Sequence, residues 1–443
     1  MNIKQFSCKS MLPLILIIAI LIAPINKTDA YSKTYDFTVP VDASYVPDEL
    51  LVRFEPKSKG QQRNSTEKNQ ILSSLGGGSI KRNFKIVPGL TLVKLPAGKT
   101  VKDALKTFNK TDGIIYAHPN YIGYAFSTVP NDPNFVNNAL WGLNNIGQNS
   151  GMPDADIDAP EAWDIIHDVC DIIVAVIDSG VDYTHPDLAA NMWTDGNGHH
   201  GYDFVNDDDD PNDDMGHGTW VAGIIGAVGN NNRGVTGVCW NVKIMAIKAI
   251  TSYGELSNAD AVAAIDYAIE KGAKVINASW GVPDNQSLKD TIDAADAAGV
   301  LFIAAAGNYQ YGTPWYDNDV DPVYPANFDC SNIISVMATN NTDNRASYSH
   351  YGATSVDIAA PGGEGDNNPT AILSTIPTSM GSYASHHGTS ASAPYVAGAC
   401  ALVWAAHPNL THLQVKDVIM QSVDPLASLN GLCVTGGRLN LFN

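Results

Sequence analysis

The chain has 443 residues, 44% of them hydrophobic and 16% charged, which exceeds the roughly 100 to 200 residues of a usual single domain and leaves room for two folded units and a leader. Its formal net charge of −20 is unevenly placed: residues 1–126 hold 17 Lys+Arg and 9 Asp+Glu, whereas residues 127–443 hold 9 and 37. The acidic larger part argues against nucleic acid as a partner, and the opposite signs suit either two pieces that bind each other or an acidic surface that only aids solubility.

Lys4 and Lys9, the apolar run Met11–Ile25 and the small or polar residues ending Thr28-Asp29-Ala30 have the layout of a secretory signal peptide over residues 1–30. That run is shorter than the roughly 20 residues needed to span a bilayer, and no comparable run follows. The expectation is a secreted, extracellular protein with no stable membrane anchor in its mature form. From Val46 to about Phe126 the pattern changes repeatedly. Strand-like Glu49–Phe54, polar amphipathic Ser65–Leu75, a Gly-rich turn at Gly76–Gly78, strand-like Leu90–Leu95, helical Val101–Phe108 and strand-like Gly113–His118 give a compact β-α-β-β-α-β rhythm. Ser127–Phe135, with Pro130 and Pro133 around Asn131 and Asp132, reads as a linker.

Beyond the linker, Asp171–Ile177, Lys243–Ile250, Lys274–Ser279, Leu301–Ala306 and Ile333–Ala338 are short β-branched apolar runs, while Asn258–Glu270 and Ser287–Ala298 have helical spacing. This alternation predicts an α/β domain, a mainly parallel sheet with helices on both faces, preceded by a small α+β unit. Functional residues are then expected beyond the carboxyl ends of the strands. Cys8 lies in the leader. Of the other five cysteines, Cys400 sits in the apolar run Ala397–Trp404 and is expected as a buried thiol, and Cys170, Cys239, Cys330 and Cys433 leave room for up to two bridges. Their spacing is not that of a zinc site.

Three motifs carry chemistry: Asp178-Ser179-Gly180 after a strand, Gly216-His217-Gly218-Thr219 opening a helix, and Gly388-Thr389-Ser390-Ala391 opening another. Each alone is most often a turn or a helix cap. In the order Asp, His, Ser they resemble the subtilisin-like serine proteases, and the resemblance covers nearly all of residues 131–443, including the closing Thr435-Gly436-Gly437-Arg438-Leu439-Asn440. It implies a serine endopeptidase acting through an acyl-enzyme, with Asp178, His217 and Ser390 as the triad. A serine hydroxyl is a weak nucleophile and needs a base; imidazole titrates near neutrality, and a carboxylate fixes its tautomer.

The resemblance also implies that Asn308, after Gly307, donates to the oxyanion, and that Ser252-Tyr253-Gly254 and Ser279-Trp280-Gly281 are strand edges clamping an extended protein or peptide substrate. Val323 stands where relatives often have glycine at the pocket floor, so the pocket is expected to be shallow and apolar, with broad specificity. No Lys or Arg occurs between Lys110 and Arg233, so cleavage near residues 124–131 cannot depend on a basic residue before the bond. A structural calcium ion is implied at Asp132, Asp187 and Asn231 with carbonyls of Val228, Arg233 and Val235. Residues 31–126 resemble an inhibitory propeptide acting as intramolecular chaperone, with Tyr116, His118 to Tyr121 and Tyr124 to Phe126 toward the end that occupies the cleft, and residues 127–443 form the catalytic domain, expected as a monomer. Trp220 replaces a second histidine and Ala391 a methionine of the family, affecting packing and oxidation rather than chemistry. The pairs His199-His200 and His386-His387 read as solvated loops. The acidic loop Asp203–Asp214 reads equally as a charge run or a second ion site. A peptide-binding relative without activity and an acid-active relative with a Glu–Asp–Ser set are the rivals; His217 and Asn308 oppose the latter.

Overall fold

The computed structural model describes residues 45–58, 60–121, 128–309 and 316–443, to which the structural statements below refer. The expected signal peptide, Tyr124 to Phe126 and Ser127 lie outside the described residues. The chain divides into two compact units, with the boundary between Phe126 and Ser127.

The smaller unit contains β1 (Tyr45–Phe54), α1 (Ser65–Ser74), β2 (Ser79–Asn83), β3 (Leu90–Lys94), α2 (Val101–Phe108) and β4 (Ile114–Tyr121), with an antiparallel sheet in the order β2-β3-β1-β4. Alternate residues of β1, namely Leu50, Val52 and Phe54, meet Leu72 of α1 and Leu105 and Phe108 of α2 in one core. Helix α1 starts on a capping box in which Asn64 Oδ1 accepts from Glu67 N and the Glu67 carboxylate accepts from Asn64 N. The expected rhythm is present. Its second strand, β2, reads Ser-Ile-Lys-Arg-Asn and is almost wholly exposed at the sheet edge, so it carries no apolar alternation that a sequence could reveal.

The larger unit runs through α3 (Pro133–Val136), α4 (Ala159–Trp163), β5 (Asp168–Asp178), β6 (Gly201–Asp203), α5 (His217–Gly226), β7 (Asn241–Lys248), α6 (Asn258–Glu270), β8 (Val275–Ala278), α7 (Gln286–Ala297) and β9 (Leu301–Ala305). It continues with β10 (Ile333–Thr339), β11 (Ile358–Pro361), β12 (Ile372–Thr375), β13 (Tyr383–His386), α8 (Thr389–Ala406), α9 (His412–Gln421), β14 (Val423–Pro425) and β15 (Gly437–Leu439). Among the described residues the main sheet has nine strands in the order β14-β15-β11-β10-β9-β8-β5-β7-β6, parallel except where β14 meets β15. β12 and β13 form a separate hairpin. The stretch expected as a linker ends in α3, where Pro133 occupies the first turn and lacks an N–H that a helix start would leave unpaired anyway.

Strand β5 is buried on both faces. Val174 and Val176 pack toward α5, α8 and α9, while Ala175 and Ile177 pack toward α6 and α7. Helix α8 is apolar on every side and buried over most of its length, as a helix passing through a core must be. In register, Asp178 lies opposite Lys248, and Ile177 opposite Ala278, so β7, β5 and β8 end together. Asp178, Ser279 and Gly307-Asn308 therefore emerge at one carboxyl edge of the sheet. The room that the sequence leaves for up to two bridges is not used by Cys239, Cys330 or Cys433, which are buried thiols, as is Cys400. Their sulfurs turn to local acceptors instead, Cys239 Sγ to Gly398 O at 3.3 Å and Cys433 Sγ to Thr435 Oγ1 at 3.6 Å.

Candidate active site

Asp178 ends β5 with no exposed surface, and its Oδ1 accepts from Ser179 N at 2.7 Å. His217 opens α5. Gly216 before it has φ 104°, a left-handed turn that a side chain would strain. His217 Nδ1 lies 2.8 Å from Asp178 Oδ1 and 3.0 Å from Oδ2. A carboxylate at that nitrogen favours the Nδ1–H tautomer and leaves the Nε2 lone pair to accept a proton. Burial works against the imidazolium, but the charge and hydrogen bond of Asp178, with the charge of Asp213, outweigh it and hold the imidazole pKa above its ordinary value.

Ser390 is the second residue of α8, so its N–H is among those a helix start leaves unpaired. Its Oγ donates to Ser279 O at 3.2 Å, and Ser279 Oγ donates back to Ser390 O at 3.1 Å. Among the described residues the hydroxyl makes this bond rather than one to His217, a slack that substrate binding tightens in many active sites. Asn308 Oδ1 accepts from Thr389 N at 2.9 Å and Thr389 Oγ1 at 3.0 Å. That fixes the amide, with Nδ2 3.4 Å from where a Gly388 Cβ would stand.

A cleft of about 510 Å³ beside Ser390 is lined by Ser279, Trp280, Gly281, Gly307, Asn308 and Val323, all expected there. Val323 Cγ1 lies 3.6 Å from the Cβ position of Gly281 and 3.3 Å from that of Gly307, so this side chain fills the gap between the two walls. Ser252-Tyr253-Gly254 is not a strand edge but an exposed turn, with Gly254 at φ 82° and Glu255 N donating to Thr251 Oγ1 at 3.2 Å. Tyr324, next to Val323, and His350 also line the cleft, and no motif marks His350. Trp220 is buried, donates Nε1 to Ile372 O at 3.1 Å, and lies between the rings of His217 and His386.

Asp187 is fully buried; its Oδ1 accepts from Asn231 Nδ2 at 2.7 Å, and its Oδ2 from Val235 N and Tyr383 Oη, each at 3.0 Å. Asp132, also fully buried, accepts from Asn230 N at 2.7 Å and Asn231 N at 3.3 Å. Burial, and to a lesser extent the charge of Asp187, raise the Asp132 pKa against these bonds. Val228 and Arg233 belong to the same loop, with Val228 N donating to Asp187 O at 2.8 Å. The histidine pairs are half-exposed, as solvated loops would leave them, yet their rings engage neighbours. His200 stacks on Tyr183 and bonds Trp193 O through Nδ1 at 3.0 Å, while His386 and His387 both bring Nδ1 to Asp366 Oδ1, at 3.5 and 2.8 Å. No group of three or more His, Cys, Asp or Glu able to hold a metal occurs among the described residues. In the acidic loop, the Asp203 carboxylate is taken up by Val205 N, Asn206 N and Asn206 Nδ2.

Residues 170–436 match the model of the subtilase family, and residues 34–120 match the fervidolysin N-terminal prodomain. The chain is 34% identical over 401 residues to a thermophilic serine proteinase of Bacillus sp. (strain AK1), covering 90% of this chain and 88% of that protein. It is 36% identical over 287 residues to thermitase of Thermoactinomyces vulgaris, covering 65% and 92%. A solved structure of a protease from Pseudoalteromonas arctica aligns with a TM-score of 0.60 at 28% identity, over 71% of this chain and 98% of that one.

Proposed function

Because the chain belongs to the subtilase family and is a serine endopeptidase, we propose that Asp178, His217 and Ser390 are its catalytic triad and that it cleaves peptide bonds through an acyl-enzyme. The observation that carries this is the hydrogen bond of His217 Nδ1 to the fully buried Asp178 at 2.8 Å, at the sheet edge where α8 presents Ser390. Ser390 Oγ attacks the scissile carbonyl carbon while His217 Nε2 takes its proton, and Asp178 stabilises the imidazolium. The developing oxyanion meets Asn308 Nδ2 and Ser390 N. Collapse of the intermediate breaks the C–N bond, the amine leaves with the proton from His217, and water repeats the sequence on the ester.

Substrate lies extended along Ser279-Trp280-Gly281, with Gly307 opposite, and the residue before the scissile bond enters the cleft narrowed by Val323. This supports general endopeptidase activity favouring apolar residues of small or medium size there. The enzyme is secreted: residues 1–30 are the signal peptide, 31–126 the propeptide, a reading supported by the prodomain match at 34–120, and 127–443 the catalytic domain, acting as a monomer. A structural Ca²⁺ fits Asp132, Asp187 and Asn231 with the carbonyls of Val228, Arg233 and Val235. Its support is two fully buried carboxylates from separate segments, neither in an ion pair among the described residues. Asn231, whose amide now donates to Asp187, presents oxygen when turned over. Bound there, the ion balances charge and ties the segment around Asp132 to the loop.

Ser390→Ala should abolish turnover and leave the precursor uncleaved in a host lacking other proteases, and an organophosphonate should label Ser390 in the unsubstituted enzyme. Normal self-processing of the alanine variant would refute the mechanism, and absence of labelling would favour a noncatalytic peptide binder.

A further inference from the structure

The sequence places Asp213 in what reads as a charge run, yet its side chain turns inward and is 4% exposed. Its Oδ1 accepts from Ser179 Oγ at 2.8 Å, Met215 N at 3.0 Å and Gly216 N at 2.8 Å, and its Oδ2 from Thr219 N at 2.9 Å and Thr219 Oγ1 at 2.6 Å. Gly218 N donates to Ser179 Oγ at 3.0 Å, and Asp182 N to Thr219 Oγ1 at 2.9 Å. These donors come from both sides of His217 and from the residue after Asp178. The helix cap itself, Gly216, offers no side chain, so a carboxylate three residues upstream does the capping. With five donors and no ion pair among the described residues, neither oxygen is left for a metal, and the charge stays inside the fold.

We propose that Asp213 is a positioning residue for His217: its buried carboxylate clamps the first turn of α5 to the loop after Asp178, holding the imidazole against that carboxylate and adding a second negative charge behind the imidazolium. This rests on the triad reading above. The other charged or titratable groups around His217 are Asp178 and Lys248 at the strand ends, Asp214 paired with Lys248 at 2.6 Å, Asp182 after β5, and His386 across the Trp220 ring. Lys248 donates to Ser179 O at 2.9 Å, so it steadies the same loop from the other side.

The test is Asp213→Asn in enzyme produced from the full chain, assayed for kcat, KM and the pH profile of kcat/KM. Loss of alignment should lower kcat by about 10- to 100-fold with KM little changed. Removing a negative charge destabilises the imidazolium, so the acid limb should move to lower pH. A lowered melting temperature with kcat and acid limb unmoved would mean that Asp213 only pins the fold, and would overturn the proposal. Should the variant fail to fold, Ser179→Ala keeps the charge and removes one link; it should lower kcat while leaving the acid limb in place, and an unchanged kcat overturns the proposal. Failure of the triad reading is separate, because organophosphonate would then not label Ser390 even in the unsubstituted enzyme.

Discussion

Val323→Gly isolates what the cleft selects. The side chain sits between the walls of Gly281 and Gly307, its Cγ1 3.6 and 3.3 Å from their Cβ positions, so removing it deepens the cleft rather than emptying a closed core. Three carbon atoms are deleted. At about 0.8 kcal/mol per methylene-sized group, a substrate side chain that fills the space gains up to about 2.4 kcal/mol, roughly 50-fold. The assay is kcat/KM for fluorogenic peptides differing only in Ala, Leu or Phe before the scissile bond. The Phe to Ala ratio should rise toward that limit, while labelling of Ser390 stays intact. A ratio changed by less than about twofold would refute the reasoning, since a wall residue must alter discrimination by size. A dominant preference for Arg or Lys in the unsubstituted enzyme would refute the apolar reading itself.

The acid limb of kcat/KM should have its midpoint above 6.5, because Asp178 and Asp213 outweigh burial in raising the His217 pKa, and activity, full where the imidazole is neutral, is lost as pH falls through that raised value. A titration of rate against pH checks it, and a midpoint below 6.5 would contradict it. Chelation should lower the melting temperature of the mature enzyme, because an ion that binds only the folded state stabilises it by mass action, and Asp187→Ala should remove most of that dependence. Equal melting temperatures with and without chelator would refute the ion site. Burial raises the Asp156 pKa to about 7 against the hydrogen bonds from Asn145 N and Asp158 N, so the stability from its bound proton is full below the ordinary carboxylate value and lost as pH rises through about 7. Melting curves across this window should be flatter for Asp156→Asn than for the unsubstituted enzyme.

What was legible in the chain was whatever chemistry demands locally. The Asp178 motif sits at the end of an apolar β-branched run, and the His217 and Ser390 motifs each have a flanking glycine and a following helix, so each is written within a few residues. Helix α6 has the bounds its spacing predicts, because one face alternates Ala261, Ala264, Ile265 and Ala268 into the core. The residues of edge strand β2 were not legible, because four of its five residues are exposed and only Ile80 packs against the core. The turn at 252–254 was expected as a strand because a resemblance carries residues across without the Thr251 hydroxyl and the positive φ of Gly254 that bend the backbone there.

Composition and periodicity determined the fold class and the two-unit organisation, since alternation and turn chemistry act over neighbouring positions, and the residues proposed for the triad follow from the resemblance that three short motifs carry together. Only the tertiary structure decided which side chains meet. His350 joins the cleft from a segment with no motif, His386 and His387 converge on Asp366, and Asp213, one aspartate among many in its loop, turns inward to cap α5. Cys239, Cys330 and Cys433 remain thiols although the sequence allowed bridges among them. The reason is physical: a side chain's partners are set by where strand register and helix packing place distant segments, and no local pattern encodes those distances.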